Sequence, residues 1–488
     1  MCIRSLRASL CGRSNRFQRA RQRLCCVRRS RSPSELAQCR RPCAAGWLFI
    51  CGEPFMLHSS RAGARAFVWG CGLILSITAV PVNAAPLTLD EAVRLAVRDQ
   101  PLLRQQDDRA AAARNRAVAA RQLPDPQLVL QTMDLPVDGG EAFSASRDNF
   151  TIYSAGLMQQ FTLPGKRRLR SELQTQDAEA SAITGVALAR KIARDAGVAW
   201  VDVWAAQQAG ALITEQVDQG GQQREAATIL YRSGGDRSQA DVLAARVAEQ
   251  TLADRRDQVR QQLHRAQAKL SRWIGAVALQ RLPSERLPVL PEPKPLDALL
   301  AALPKHPALR AAEMSVNKAG TGIALARESY WPDWSLEVDY GYRPRYSDFI
   351  SVTARVDLPL FHADRQDREL AAARQEAEAA SERHADLHRQ LAAELRADYM
   401  QWQDAKVRLQ RYDAEILPTT EARTAAALAG YRAANDPLSA VLDAHEAALD
   451  VRLQRLQLAA EVVRLRLTLR YFHPSSPAAD DPVDAGQE

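Results

Sequence analysis

Few residues in this chain could carry covalent or metal chemistry. His384 and His388 stand one helical turn apart, a spacing that permits two imidazoles to share a metal ion. A lone pair set among Arg and Glu reads as surface polarity, so no metal or cofactor site is expected. Methionine numbers only six, which leaves no thioether ladder for soft metals. No nucleophile–base constellation, phosphate loop or zinc motif occurs, and the chain does not read as an enzyme. The informative chemistry is conformational. Tyr231-Arg-Ser-Gly-Gly-Asp236 and Tyr431-Arg-Ala-Ala-Asn-Asp436-Pro437 each interrupt a very long helical pattern. Gly234, Gly235 and Asn435 suit the left-handed turn that ends a helix. Asp236 and Asp436 then stand where N-caps belong, with Pro437 at a first helical position. Each stretch reads as the tip of an antiparallel helical hairpin. Two tips 200 residues apart predict a duplicated protein.

Charge and cysteine are distributed very unevenly over the 488 residues. Residues 1–55 hold twelve Arg and two acids, Glu35 and Glu53, a net +10 within a whole-chain +8. The remainder is therefore slightly acidic, and no nucleic-acid partner is expected of it. All eight cysteines precede residue 72. His58, Arg61 and Arg65 precede an apolar run from Phe67 to Val80, and Val82-Asn83-Ala84 resembles a small-residue cleavage site. Residues 56–84 read as a secretory signal with Met56 as the true start, and residues 1–55 as an over-extended gene model. The expected mature chain, from Ala85, is an exported protein without cysteine.

The elements then repeat. Residues 85–275 form the first unit. Thr88-Leu-Asp-Glu91 is a capping box, Pro101 starts a second helix, and Pro124-Asp125-Pro126 ends it. Candidate strands cover 127–137 and 150–163. A helical tract follows from Pro164 to Arg232, on the order of 100 Å at helical rise. A return helix reaches Trp273 with Val259, Leu263, Ala266, Leu270 and Trp273 as a coiled-coil seam. Residues 276–294 are a Pro-rich linker. The second unit, 295–473, repeats the plan, with His306-Pro307 matching Gln100-Pro101 and Trp331-Pro332-Asp333 matching Leu123-Pro124-Asp125. Its strands alternate cleanly. Trp334, Leu336, Val338, Tyr340 and Tyr342 share one face, as do Ile350, Val352, Ala354, Val356 and Leu358. A single helix is expected from Asp364 to Arg432, and the last, from Pro437 to Tyr471, shows a seam of Leu449, Leu453, Leu456, Ala460, Val463 and Leu467. Residues 474–488 read as a disordered tail.

Four strands among so many helical residues cannot make an independent sheet with its apolar face covered. Both that difficulty and the helix length vanish if several copies pool their strands into one closed barrel and their helices into one cylinder. The apolar face, with Leu336, Val338, Tyr340, Val352, Ala354 and Val356, would then meet outer-membrane lipid and the polar face a water-filled lumen. Trp331, Trp334, Tyr342, Tyr346, Phe349 and Phe361 gather at the strand ends, as interfacial aromatics do. The expected class is mainly α with a membrane β-barrel.

The repeat order, the Pro-Asp before each first strand, the Leu-Pro closing each second strand (Leu163-Pro164 and Leu358-Pro359) and the two tips resemble the TolC-type outer-membrane factors over residues 86–472. The resemblance implies a homotrimer with a twelve-stranded β-barrel and a periplasmic α-barrel. It implies partnership with a periplasmic membrane-fusion adaptor and an inner-membrane resistance-nodulation-division pump. Phe161-Thr-Leu-Pro-Gly-Lys-Arg-Arg168 is similar to the heavy-metal-efflux branch, typified by cobalt-zinc-cadmium and copper-silver systems. By position, Tyr231, Ser233, Gly234, Tyr431, Ala434 and Asn435 would lie at adaptor-docking tips. Val441-Leu-Asp-Ala444 matches the family's entrance motif, which makes Asp443 the candidate for an acidic aperture ring, with Asp241 before Val242-Leu243 in the other half. Drugs, other organic compounds or secreted protein are the alternative cargo. A periplasmic coiled-coil scaffold outside the membrane is the alternative class.

Overall fold

The computed structural model describes residues 85–98, 100–144, 146–233, 239–433 and 435–473. The readings of residues 1–55, the signal at 56–84, the tail at 474–488, and Gly234, Gly235, Asp236 and Ala434 lie outside them. The chain folds as α1 (Leu89–Arg98), α2 (Pro101–Arg121), β1 (Gln127–Met133), β2 (Ile152–Phe161), α3 (Pro164–Arg232) and α4 (Gln239–Ile274). After a short α5 (Val277–Gln280) the same order returns. It comprises α6 (Leu296–Ala302), α7 (Pro307–Glu328), β3 (Trp334–Tyr342), β4 (Phe349–Val356), α8 (Gln366–Arg411), α9 (Leu417–Arg432) and α10 (Leu438–Tyr471).

Local chemistry explains most of the boundaries. Thr88 Oγ1 accepts the Glu91 N–H at 3.3 Å, one half of the expected capping box. Arg281 holds both Glu91 oxygens, at 2.6 and 2.9 Å, and this pairing lowers the carboxyl below its ordinary value. The first strand is shorter than its pattern suggests. Asp134 turns left-handed at φ 55°, which ends β1 before Val137. β2 begins late because Asp148 Oδ2 accepts the N–H groups of Phe150 and Thr151, a closed turn that precedes the strand. The expected single helix from 364 to 432 is interrupted by a π-turn at Tyr412–Ile416. Pro418, the second residue of α9, cannot donate a helical hydrogen bond, so one wider turn before it accommodates it.

Two apolar cores share one helix. In the first, Leu89 and Ala92 of α1, Trp200 and Val203 of α3 and Leu270 of α4 meet Leu456, Ala460, Val463 and Leu467 of α10. In the second, Leu299, Leu309, Leu391, Leu395 and Trp402 meet Val462, Leu465, Leu469 and Phe472. The seam expected on α10 is therefore only one of two. A helix apolar on both sides is buried between layers, and the second stripe is what joins the repeats.

His306 lies in the second core, 1% exposed. Its Nδ1 accepts the Ala308 N–H at 3.3 Å, capping α7, and its Nε2 faces the Tyr471 carbonyl at 3.2 Å. Burial lowers the imidazole from 6.5 to about 4. The ring is thus neutral when folded, while the unfolded chain takes up a proton between pH 6.5 and about 4. Its contribution is intact above pH 6.5 and lost as pH falls through that window, by up to about 3 kcal/mol. Denaturant midpoints measured from pH 8 to 4 should fall accordingly. His306→Asn, which keeps a cap acceptor and cannot titrate, should flatten the slope.

Candidate functional site

The four strands form one antiparallel sheet in the order β1-β2-β3-β4. Leu128, Leu157, Val338 and Val352 occupy one cross-strand row, and Leu130, Ala155, Tyr340 and Ile350 the next. These side chains face outward. Val338, Tyr340, Val352, Ala354 and Val356 are exposed, Val352 to 66%, and Leu336 is half-buried. The opposite face carries Glu337 and Asp339, only 4% and 8% exposed. Glu337 pairs with Arg355 across the strands. Gly156 stands opposite Asp339, and a Cβ there would overlap the Asp339 carboxylate, so the close approach needs glycine. The sheet is inverted relative to a soluble protein. It shows its apolar face outward and keeps its charged face inward, an arrangement that calls for an apolar medium.

The run Leu163-Pro-Gly-Lys-Arg167 builds the corner where strand gives way to helix. Lys166 is nearly buried, and its Nζ reaches the Trp331 carbonyl at 2.7 Å and Asp333 Oδ1 at 3.1 Å. The same Asp333 oxygen accepts the Leu163 N–H at 3.1 Å. Arg167 donates to the carbonyls of Thr162 and Arg121. Gly165 leaves room for Glu328, which a Cβ would meet. These residues fasten four chain segments from both repeats. Every contact they make is structural.

The hairpin ends lie at the far end of α3. Ala227, Ala245 and Leu438 form a small core there, with Val242, Tyr431 and Leu442 packed against it. The two tips are consequently unlike. Tyr431 packs into this core, whereas Tyr231 and Ser233 are exposed, as is Asn435. The N–H groups of Asn435 and Asp436 both reach the Gly430 carbonyl, at 2.9 and 3.3 Å. Asp436 therefore closes α9 and does not cap α10. Pro437 holds the cap position with extended ψ, and the helix starts one residue later than the sequence suggests. Asp443 is exposed on α10, and Asp241 is half-buried in the first turn of α4.

Sequence reasoning missed Arg255. Its guanidinium spans from α4 to Glu446 at 2.6 Å and Asp450 at 3.0 Å on α10. The acceptors recur four residues apart on one helix face, but their donor lies nearly two hundred residues away, and no local pattern joins them. His384 and His388 sit on α8 as a half-buried pair. Among the described residues no group of three His, Cys, Asp or Glu could hold a metal ion.

An inverted four-stranded sheet set on helices of this length is also the architecture of solved outer-membrane channel proteins. No helix among the described residues is long and apolar enough to cross a membrane. Residues 299–471 match the family model for outer membrane efflux protein. The match lies within the second repeat. Solved structures share the fold. A membrane protein from Pseudomonas aeruginosa aligns with TM-score 0.68 and 17% identity over 79% of this chain and 89% of that one. CusC, known for transmembrane channel formation, aligns with TM-score 0.68 and 16% identity over 79% and 91%. The outer membrane protein VceC from Vibrio cholerae aligns with TM-score 0.66 and 16% identity over 79% and 95%. Identities this low establish the fold alone. No curated protein matches the chain in sequence.

Proposed function

We propose that the chain is a passive efflux duct. Three copies pool their strands into a twelve-stranded barrel in the outer membrane, and their helices form a periplasmic tunnel. The tunnel mouth receives cargo from a periplasmic adaptor and an inner-membrane pump. The observation that carries this reading is the inverted sheet, whose two outer strands, β1 and β4, pair on one side only. A sheet with an apolar exterior and open edges is unstable as a monomer in water, and closure with further copies satisfies both edges and the apolar face.

The cargo we assign is heavy-metal cations, supported by the likeness of the Phe161–Arg168 run to that branch. The chain offers little selectivity of its own, so discrimination belongs to the pump. Deleting the gene and scoring tolerance to zinc, cobalt, cadmium, copper and silver beside drug tolerance separates the cargoes. Sensitivity to drugs alone would transfer the assignment to organic compounds. A protein absent from the outer-membrane fraction would remove the duct altogether and leave a periplasmic scaffold.

At the mouth, Tyr231 and Ser233 of one hairpin end and Asn435 of the other offer the exposed docking residues. Three Asp443 carboxylates converging on the axis would repel one another, and outward movement of α10 relieves that repulsion. The Arg255 bridge to Glu446 and Asp450 opposes the movement, and the π-turn before α9 is its natural bending point. Asp443→Ala should therefore raise single-channel conductance in planar bilayers. An unchanged conductance excludes Asp443 from the gate.

A further inference from the structure

A cavity of about 450 Å³ opens between α3, α4 and α10, a few turns from the hairpin ends. That volume falls within the range of small-molecule sites, roughly 300–1,000 Å³. Its walls are chemically divided. Leu243, Val247, Leu252 and Leu442 make an apolar floor, and Asp443 stands at the rim. Gln216, 7% exposed, adds an amide that donates to Gln219 at 3.0 Å.

The lining charges decide what the cavity takes. Glu446 is neutralised by Arg255 at 2.6 Å. Burial holds the pKa of His445 below its ordinary value, which keeps that ring neutral at pH 7. Asp443 makes no ion pair among the described residues, so one carboxylate is left over an apolar floor. Among the described residues a metal ion would find no three-ligand set, and an anion or a purely apolar molecule would leave the Asp443 charge beside it uncompensated.

We propose that this cavity binds an amphipathic organic monocation, its apolar body on the leucine floor and its cationic group at Asp443. The walls come from the α3–α4 hairpin on one side and α10 on the other. A bound ligand joins the same two elements that Arg255 joins, and so holds the mouth shut. The binding site stands on the geometry of one chain; only the closing effect rests on the duct reading.

Ethidium is the probe, with uncharged phenanthridine as its counterpart, added to the full exported protein in detergent. Saturable ethidium fluorescence enhancement is expected, with phenanthridine competing about ten-fold more weakly for want of the charge. Asp443→Asn should weaken ethidium about ten-fold, and Ala248→Trp, which fills the cavity from α4, should abolish saturation. Circular dichroism verifies that both variants are folded. Absence of saturable binding to the parent protein, or equal affinity in the parent and both variants, overturns the site. Single-channel recording then tests the closing effect apart from binding. Ethidium should lower the conductance of the parent and leave Ala248→Trp unaffected, and binding without that fall overturns the closing effect alone.

Discussion

Lys166→Met will destabilise the protein severely. Lys166 and Asp333 have side chains only 9% and 18% exposed, and their pair joins the strand-to-helix turn of the first repeat to the helix-to-strand turn of the second. Removing one partner of a buried ion pair typically costs about 3–5 kcal/mol, because the remaining charge is stranded. The lower end of that range applies here, since Asp333 keeps the Leu163 N–H at 3.1 Å. The loss should appear as a lowered denaturant midpoint in detergent. Adding Asp333→Asn to the variant removes the stranded charge and should recover more than half of the loss. A single variant that unfolds at the parental midpoint would show that the corner is no clamp.

Trp200→Ala should be at least as damaging. The indole is fully buried in the first core, and its Nε1 donates to the Leu87 carbonyl at 2.9 Å. Truncating a buried aromatic ring costs about 3–5 kcal/mol through lost transfer energy and the cavity left behind. The Leu87 carbonyl, itself in a buried residue, loses its partner as well. Trp200→Phe separates the two effects. It keeps most of the ring and should lose about 1–3 kcal/mol, mainly for the unmet carbonyl. Equal destabilisation by Ala and Phe would mean that the hydrogen bond, and not the ring, fastens Leu87 to α3.

Much of the fold was readable before any coordinates. The duplicated order followed from paired Pro-Asp and Leu-Pro signals, because proline ends helices and strands by a purely local mechanism. The inverted sheet followed from alternation at 334–342 and 350–358, because side chains on a strand take turns between two faces. The long helices were legible for the same reason: periodicity needs only neighbours. The misreadings have physical causes too. β1 was over-extended because the signal of Pro136 against a strand was passed over, and Asp134, left-handed at φ 55°, ends the strand before it. The Asp436 cap was misplaced because Asp436 serves the end of α9 instead, a choice between two equally local roles.

The candidate site divides along the same line. The exposed apolar strand residues and the carboxylates near each tip could be named from residue type and spacing. That Tyr431 packs inward while Tyr231 stands free could not, since it depends on Ala227, Ala245 and Leu438 meeting from three helices. Arg255 was invisible for the same reason. The Phe161–Arg168 run was readable as a signature, but its chemistry as a corner clamp depends on Asp333 and Trp331, from the other repeat.

Sequence by itself determined the repeats, the helix lengths and the two faces of the sheet, since each rests on interactions between residues a few positions apart. Tertiary structure alone decided that α10 carries two seams and serves two cores, that both repeats lock at one corner, and that the tips are not equivalent. Those outcomes depend on which distant surfaces meet, and a one-dimensional pattern carries no record of that.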